Sequence, residues 1–237
     1  MFELDVTACP ILNRGAGSPR QGACRVIAPL VLDHLAEETE DNAKRRQIVE
    51  GACTVFRILG YDAASMGEIA KAARVSKGTL YVYFKDKDEL FQAIVAKECV
   101  FQAEGVFDLD TANPDIAGTL TRMGVTYVKL LCVPERLSIF RTVMAIADRK
   151  PNAGRMFYET GPVVGVAKLR AYFEAEIAAG RLVIEDPEIA AAQFMESCHA
   201  TLLKPMLLNF GPPPSQERIE HVVKIAVKTF MAAYEKK

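Results

Sequence analysis

The side chains best suited to chemistry in this 237-residue chain cluster between residues 61 and 90. Lys77-Gly78-Thr79-Leu80-Tyr81-Val82-Tyr83-Phe84 sets an ammonium, a threonine hydroxyl and two phenols along one short segment. They are donors of the kind that bind phosphate oxygens, and Thr79 offers both a hydroxyl and a methyl to a base edge. Gly78 lets the backbone come close to a ligand, and Lys77 and Lys87 add positive charge.

These groups need short, sharply bounded helices to hold them. Ser65-Met66-Gly67-Glu68 fits a capping box, in which the serine hydroxyl takes a first-turn N–H and the glutamate reaches back. The helix it opens carries Ile69, Ala70 and Ala73 toward a core. A tight turn at Arg74-Val75-Ser76 follows, with Ser76 as the next cap, and Asp86 opens a third helix. Leu80 and Phe84, four apart, face inward. A longer helix from about 43 to 59, with Ile48, Ala52, Val55, Phe56 and Leu59 on one face and Gly60 at its end, supplies the base. Two short helices joined by so tight a turn predict a helix-turn-helix that reads duplex DNA.

Charge agrees locally. The whole chain has a net charge of −1, which excludes coating of nucleic acid by bulk charge, yet residues 44–85 carry a net +5. Residues 1–43 carry −4, with Pro10, Gly15, Gly17, Pro19, Gly22 and Pro29 breaking any period. They are expected to form a loosely ordered N-terminal extension. Six scattered cysteines and three distant histidines fit neither a disulfide framework nor a zinc site. Buried thiols in a reducing cytoplasm are the expectation, and no apolar run reaches the length of a membrane helix.

Residues 44–92 resemble the DNA-binding domain of TetR-family transcriptional regulators. The resemblance rests on Ile69-Ala70, Val75-Ser76, Lys77-Gly78-Thr79-Leu80-Tyr81, Tyr83-Phe84 and Lys85-Asp86-Lys87-Asp88-Glu89-Leu90. It implies a homodimeric repressor that leaves a palindromic DNA operator when a small molecule binds its C-terminal domain. By motif position it implies DNA contacts at Ser65, Lys77, Gly78, Thr79, Tyr81, Tyr83 and Lys87. Two positions depart from the pattern. Arg74 stands where the turn often has glycine, and Gly67 stands where longer polar side chains often assist.

Amphipathic stretches at about 115–132, 135–149, 152–179, 187–209 and 216–235, with prolines at or near their starts and almost no strand signal, predict an all-α chain. The predicted organisation is a three-helix DNA-binding domain over 44–92 followed by a larger helical effector-binding and dimerisation domain over 93–237. Pro134–Val143, Phe157–Pro162 and Ala191–Phe194 are similar to AefR-like C-terminal domains. That resemblance implies an effector cavity near Phe101, Met123, Tyr127, Phe140, Met144, Phe157 and Tyr158, side chains suited to an apolar or aromatic molecule. Helix 216–235 shows Ile219, Val222, Val223, Ala226, Phe230 and Ala233 on one side, and 187–209 carries Ile189, Ala192, Phe194, Met195, Leu202, Leu203 and Met206. These faces serve either a four-helix dimer interface, which the resemblance favours, or the subunit core alone. His199 and Cys198 read as core residues.

Two other function classes compete with this one. An enzyme would need a nucleophile elbow, a phosphate-binding glycine loop or a metal-spaced cluster, and none is found, so no cofactor is expected. A helical adaptor using the three-helix head for protein contacts is separated by salt: DNA affinity falls steeply with ionic strength.

Overall fold

The computed structural model describes residues 40–236, with the side chains of residues 98–105 outside that description. Of the predicted N-terminal extension, residues 1–39 lie outside the described residues. Residues 40–43 are helical and begin α1, Glu40–Ala63. Gly60 breaks that helix at φ 76°, ψ 172°, a conformation open to glycine without a side-chain clash. The chain resumes one more turn to Ala63 instead of stopping at residue 59.

Next come α2, Met66–Ala72, α3, Lys77–Tyr83, and α4, Lys87–Val106. Each starts at a side-chain cap read in the sequence: Ser65, Ser76 and Asp86 accept from the N–H groups of Glu68, Thr79 and Glu89. Ile48, Phe56, Ile69, Leu80, Phe84, Leu90 and Phe91 form the core beneath them. Phe56, Tyr61 and Phe91 meet with ring centroids 5.2–5.6 Å apart. Burying one such aromatic is worth about 2–3 kcal/mol.

The remainder is helical too: α5, Ile116–Leu131, α6, Pro134–Ile146, α7, Pro151–Thr160, α8, Pro162–Ala178, α9, Pro187–Cys198, α10, Leu203–Leu207, and α11, Gln216–Tyr234. Proline at the first position of α6, α7, α8 and α9 fixes φ where no intrahelical N–H bond is lost. Two predicted helices are divided. Pro162 ends the run 152–179 because its ring and missing N–H cannot continue a helix, leaving Gly161 at the break. The run 187–209 is broken after Cys198 by a turn in which Thr201 takes φ 65°. Among the described residues no named strand occurs; Leu182 and Glu235 form one isolated antiparallel bridge.

A second core joins α5, α8, α9 and α11 around Leu120, Met123, Leu169, Phe173, Phe194, Val223 and Phe230. It shows what covers the apolar stripes of the last helices. Ile219, Val222, Val223, Ala226 and Phe230 of α11, and Phe194, Met195 and Leu202, are buried within the single chain. The α11 stripe packs on α5 and α9, and its Phe230 stacks on Phe173 of α8 at 4.6 Å, because those helices supply the facing apolar surface. Of the residues read into these faces, Ile189 of α9 and Ala233 of α11 are exposed instead, as is Ile225.

The first core does not end with α4. Val143 and Ile146 of α6 and Ala153 of α7 belong to it, with Phe157 packed against it. Polar ties follow the same seam: Arg149 grips Asp62 through both nitrogens at 2.8 and 3.1 Å, and Lys150 meets Asp88 at 2.7 Å.

Candidate nucleic-acid interface and body cavity

The α2–α3 turn is built under strain. Arg74 adopts φ 55°, the left-handed region that favours glycine. Its N–H donates to Lys71 O at 3.1 Å and Val75 N–H to Ala70 O at 3.0 Å, closing the end of α2. From α1, the Gln47 amide donates to Ala73 O at 2.7 Å. Gly51 lies directly beneath, where an added Cβ would stand 2.6 Å from the Ala73 backbone. Helix α1 therefore sets the height and angle of the turn.

Within α3, Leu80 and Phe84 are fully buried, anchoring the helix. Lys77, Gly78 and Tyr81 face solvent. Thr79 is partly buried, its hydroxyl 2.8 Å from Ser76 Oγ. Lys77 runs over α2, its Cε 3.0 Å from where a Gly67 Cβ would sit. The small residue at 67 thus makes room for the lysine stem. Val82 is 82 % exposed, and sequence reasoning passed over it. The signal was present: with 80 and 84 inward, 81 and 82 must point outward.

Three expected contact residues already hold partners. Ser65 is bound in the complete capping box, its Oγ donating to Glu68 Oε2 at 2.8 Å. That hydroxyl and the Ser65 N–H hold the Glu68 carboxyl below its ordinary pKa. Tyr83, half-buried, donates to Asp41 Oδ1 at 2.7 Å. Lys87 directs Nζ to the carbonyls of Tyr61, Asp62 and Ala64 at 2.7, 3.2 and 2.9 Å, above the Tyr61 ring. An ammonium has three donors, so in this arrangement none is left for a phosphate.

In the body, a cavity of about 220 Å³ lies among α5, α6, α7, α8 and α9. Tyr127, Phe140, Phe157 and Tyr158 line it, and the Phe140 and Phe157 rings stack at 5.2 Å. Met123 does not, being consumed in the second core, and Met144, one turn beyond Phe140, is exposed. The Phe101 side chain lies outside the described residues. Met195 of α9 and His199, just past its end, complete the wall, as does Gly165, whose missing Cβ leaves Met195 Cε and Phe107 Cζ room at 3.0 Å. His199 is therefore at the cavity surface instead of within the core. Burial lowers its pKa, partly offset by the Glu196 carboxylate. Cys198 faces the core, and burial pushes its thiol up to about 12. Among the described residues no three His, Cys, Asp or Glu side chains gather as metal ligands, and no single helix is long and apolar enough to cross a membrane.

An exposed short helix on a capped turn, set on a basic head and joined to a helical body with an apolar cavity, defines the class: a helix-turn-helix protein with a second, larger helical domain. Residues 48–94 match the family described as bacterial regulatory proteins, tetR family, and residues 118–236 match the AefR-like transcriptional repressor C-terminal domain. The chain belongs to the TetR family and carries its AefR-like C-terminal domain. The HTH-type transcriptional repressor Rv1474c of Mycobacterium tuberculosis is 39 % identical over 122 residues, 51 % of this chain and 54 % of that protein. The HTH-type transcriptional regulator AcrR of Shigella flexneri is 42 % identical over 62 residues, covering 25 % of this chain and 29 % of that one. The chain thus matches about half or less of these relatives' lengths. Solved structures are matched more fully. A TetR-family transcriptional regulator from Mesorhizobium loti aligns at TM-score 0.78 with 29 % identity, over 84 % of this chain and all of that one. The Flavonoid-responsive Regulator FrrA aligns at TM-score 0.70 with 29 % identity, over 83 % and 99 %.

Proposed function

We propose that this protein is a ligand-responsive transcriptional repressor that binds a palindromic DNA operator as a homodimer. The observation that carries the reading is α3, held by Leu80 and Phe84 while Lys77, Gly78, Tyr81 and Val82 stand in solvent. In a major groove, Thr79 and the Val82 methyls would meet base edges, and Lys77 and Tyr81 would meet phosphates. Lys87 acts as a pin for the end of α1 instead of a phosphate ligand. Dimerisation uses the outer faces of α9 and α11, where Ile189 and Ile225 are exposed.

The effector is an apolar, planar aromatic molecule held in the body cavity. The stacked Phe140–Phe157 pair favours a flat ring system, and FrrA, by its name, responds to flavonoids. Helices α6 and α7 transmit the signal. Phe157 touches both the cavity and the head core, and Ile146 at the far end of α6, with Arg149 and Lys150 just past it, joins the head directly. A ligand that moves this pair moves the head, provided it binds the two arrangements unequally.

The test is selection of bound sequences from a random duplex library with the full chain. A two-fold symmetric site, with half-sites roughly 34–36 Å apart, is expected. Absence of enrichment, or an asymmetric single half-site, overturns the reading.

A further inference from the structure

The Tyr83 phenol sits on the exposed side of the head, yet its proton is already committed. It is donated to Asp41, which lies in the first turn of α1 and 42 residues earlier in the chain. The next turn of α1 is tied to the head: the Arg45 guanidinium lies 5.0 Å over the Phe84 ring, and Gln47 is bonded to Ala73 O. A carboxylate therefore stands beside a group that the DNA-reading face presents to phosphate. A phenol has one O–H, so it donates to Asp41 or to a phosphate oxygen but not squarely to both. The Asp41 charge also repels an approaching phosphate, with Glu40 beside it in the same turn. The local negative field is felt by Tyr83 itself, whose ionisation is pushed up, chiefly by its hydrogen bond to Asp41.

We propose that Asp41 is an intramolecular competitor for the phosphate that Tyr83 contacts, and that it holds the head's DNA affinity below what its cations alone would give. The inference rests on the DNA-binding reading above. It makes Asp41 an affinity-setting residue that acts through Tyr83 without itself touching DNA.

The experiment measures fluorescence anisotropy of a labelled random-sequence duplex over a potassium chloride series, with wild type, Asp41→Asn, Tyr83→Phe and the double variant, all as full chains. A sequence-independent probe suffices because the contact is to phosphate. Asp41→Asn should bind about two- to fivefold tighter, the range expected for one exposed charge. Its salt slope should stay close to that of wild type, because a neutral phenol displaces no counterion from the phosphate it contacts. Most of that tightening should vanish in the Tyr83→Phe background, which a general change in helix stability would not produce. Thermal melts of each variant keep folding separate from binding. Equal or weaker binding by Asp41→Asn, or an undiminished tightening without the Tyr83 hydroxyl, overturns the proposal. Failure of wild type to bind duplex DNA at any salt would instead overturn the DNA-binding reading itself.

Discussion

Replacing Arg74 with glycine should make the protein more stable. Arg74 is held at φ 55° by the closure of α2, and its side chain is exposed. A non-glycine residue in the left-handed region costs about 1–2 kcal/mol. Glycine escapes that cost but brings back about 0.5–1 kcal/mol of unfolded-chain entropy. The balance is a gain of about 0.5–1 kcal/mol, or about 1–4 °C in Tm for a chain of this size. Arg74→Ala keeps the strain and should show no gain; Arg74→Asn, which tolerates this region, should fall between. Melts at one fixed protein concentration give the order, since self-association would otherwise shift Tm. Anisotropy with duplex DNA adds a second axis: glycine and alanine should lose the same affinity if the guanidinium serves a phosphate. Alanine matching glycine in Tm, or glycine melting below arginine, would refute the strain argument.

Other substitutions separate structural roles from functional ones. Lys87→Met should lower stability by about 1–2 kcal/mol, because three carbonyls lose a charged donor, and should leave the salt slope of DNA binding unchanged; urea melts and a salt titration check both. Gly165→Ala should narrow the cavity against Met195 and Phe107, weakening protection by planar aromatic ligands in thermal-shift assays while duplex binding persists. The capping box should make stability sensitive to acid. The folded Glu68 carboxyl lies below its ordinary value of 4.5, so its contribution is complete above that value and is lost as pH falls through the folded one. Urea midpoints measured from about pH 6 down to about pH 3 should fall less steeply for Glu68→Gln.

Local chemistry was legible in the sequence because its partners are neighbours in the chain. Ser65 and Glu68 cap each other across three residues, and the inward Leu80 and Phe84 follow from one helical turn. Long-range partners were not. Nothing in the type of Lys87 tells that it will meet the carbonyls of Tyr61, Asp62 and Ala64, more than twenty residues earlier. The stripe on α11 announces burial through its period, but a period does not say whether its own chain or a second copy covers it. His199 sits beside Cys198 on an apolar helix, and only the end of α9 at that point turns one toward the cavity and the other into the core. The divided helices fail for a related reason. Pro162 is consistent with either a kink or a stop, and the turn around Thr201 has no strong breaker of its own.

The seam at α6 and α7 bears on how hybrid regulators of this kind can be assembled. A crossover placed at residue 92, where the three-helix unit ends by motif, would strip Val143, Ile146 and Ala153 from the apolar surface around Phe56, Phe91 and Ile94. It would also leave Asp62 and Asp88 without Arg149 and Lys150. A working graft must carry residues 134–160 along with the reading head, so the transferable unit is discontinuous in sequence and larger than the motif that advertises it.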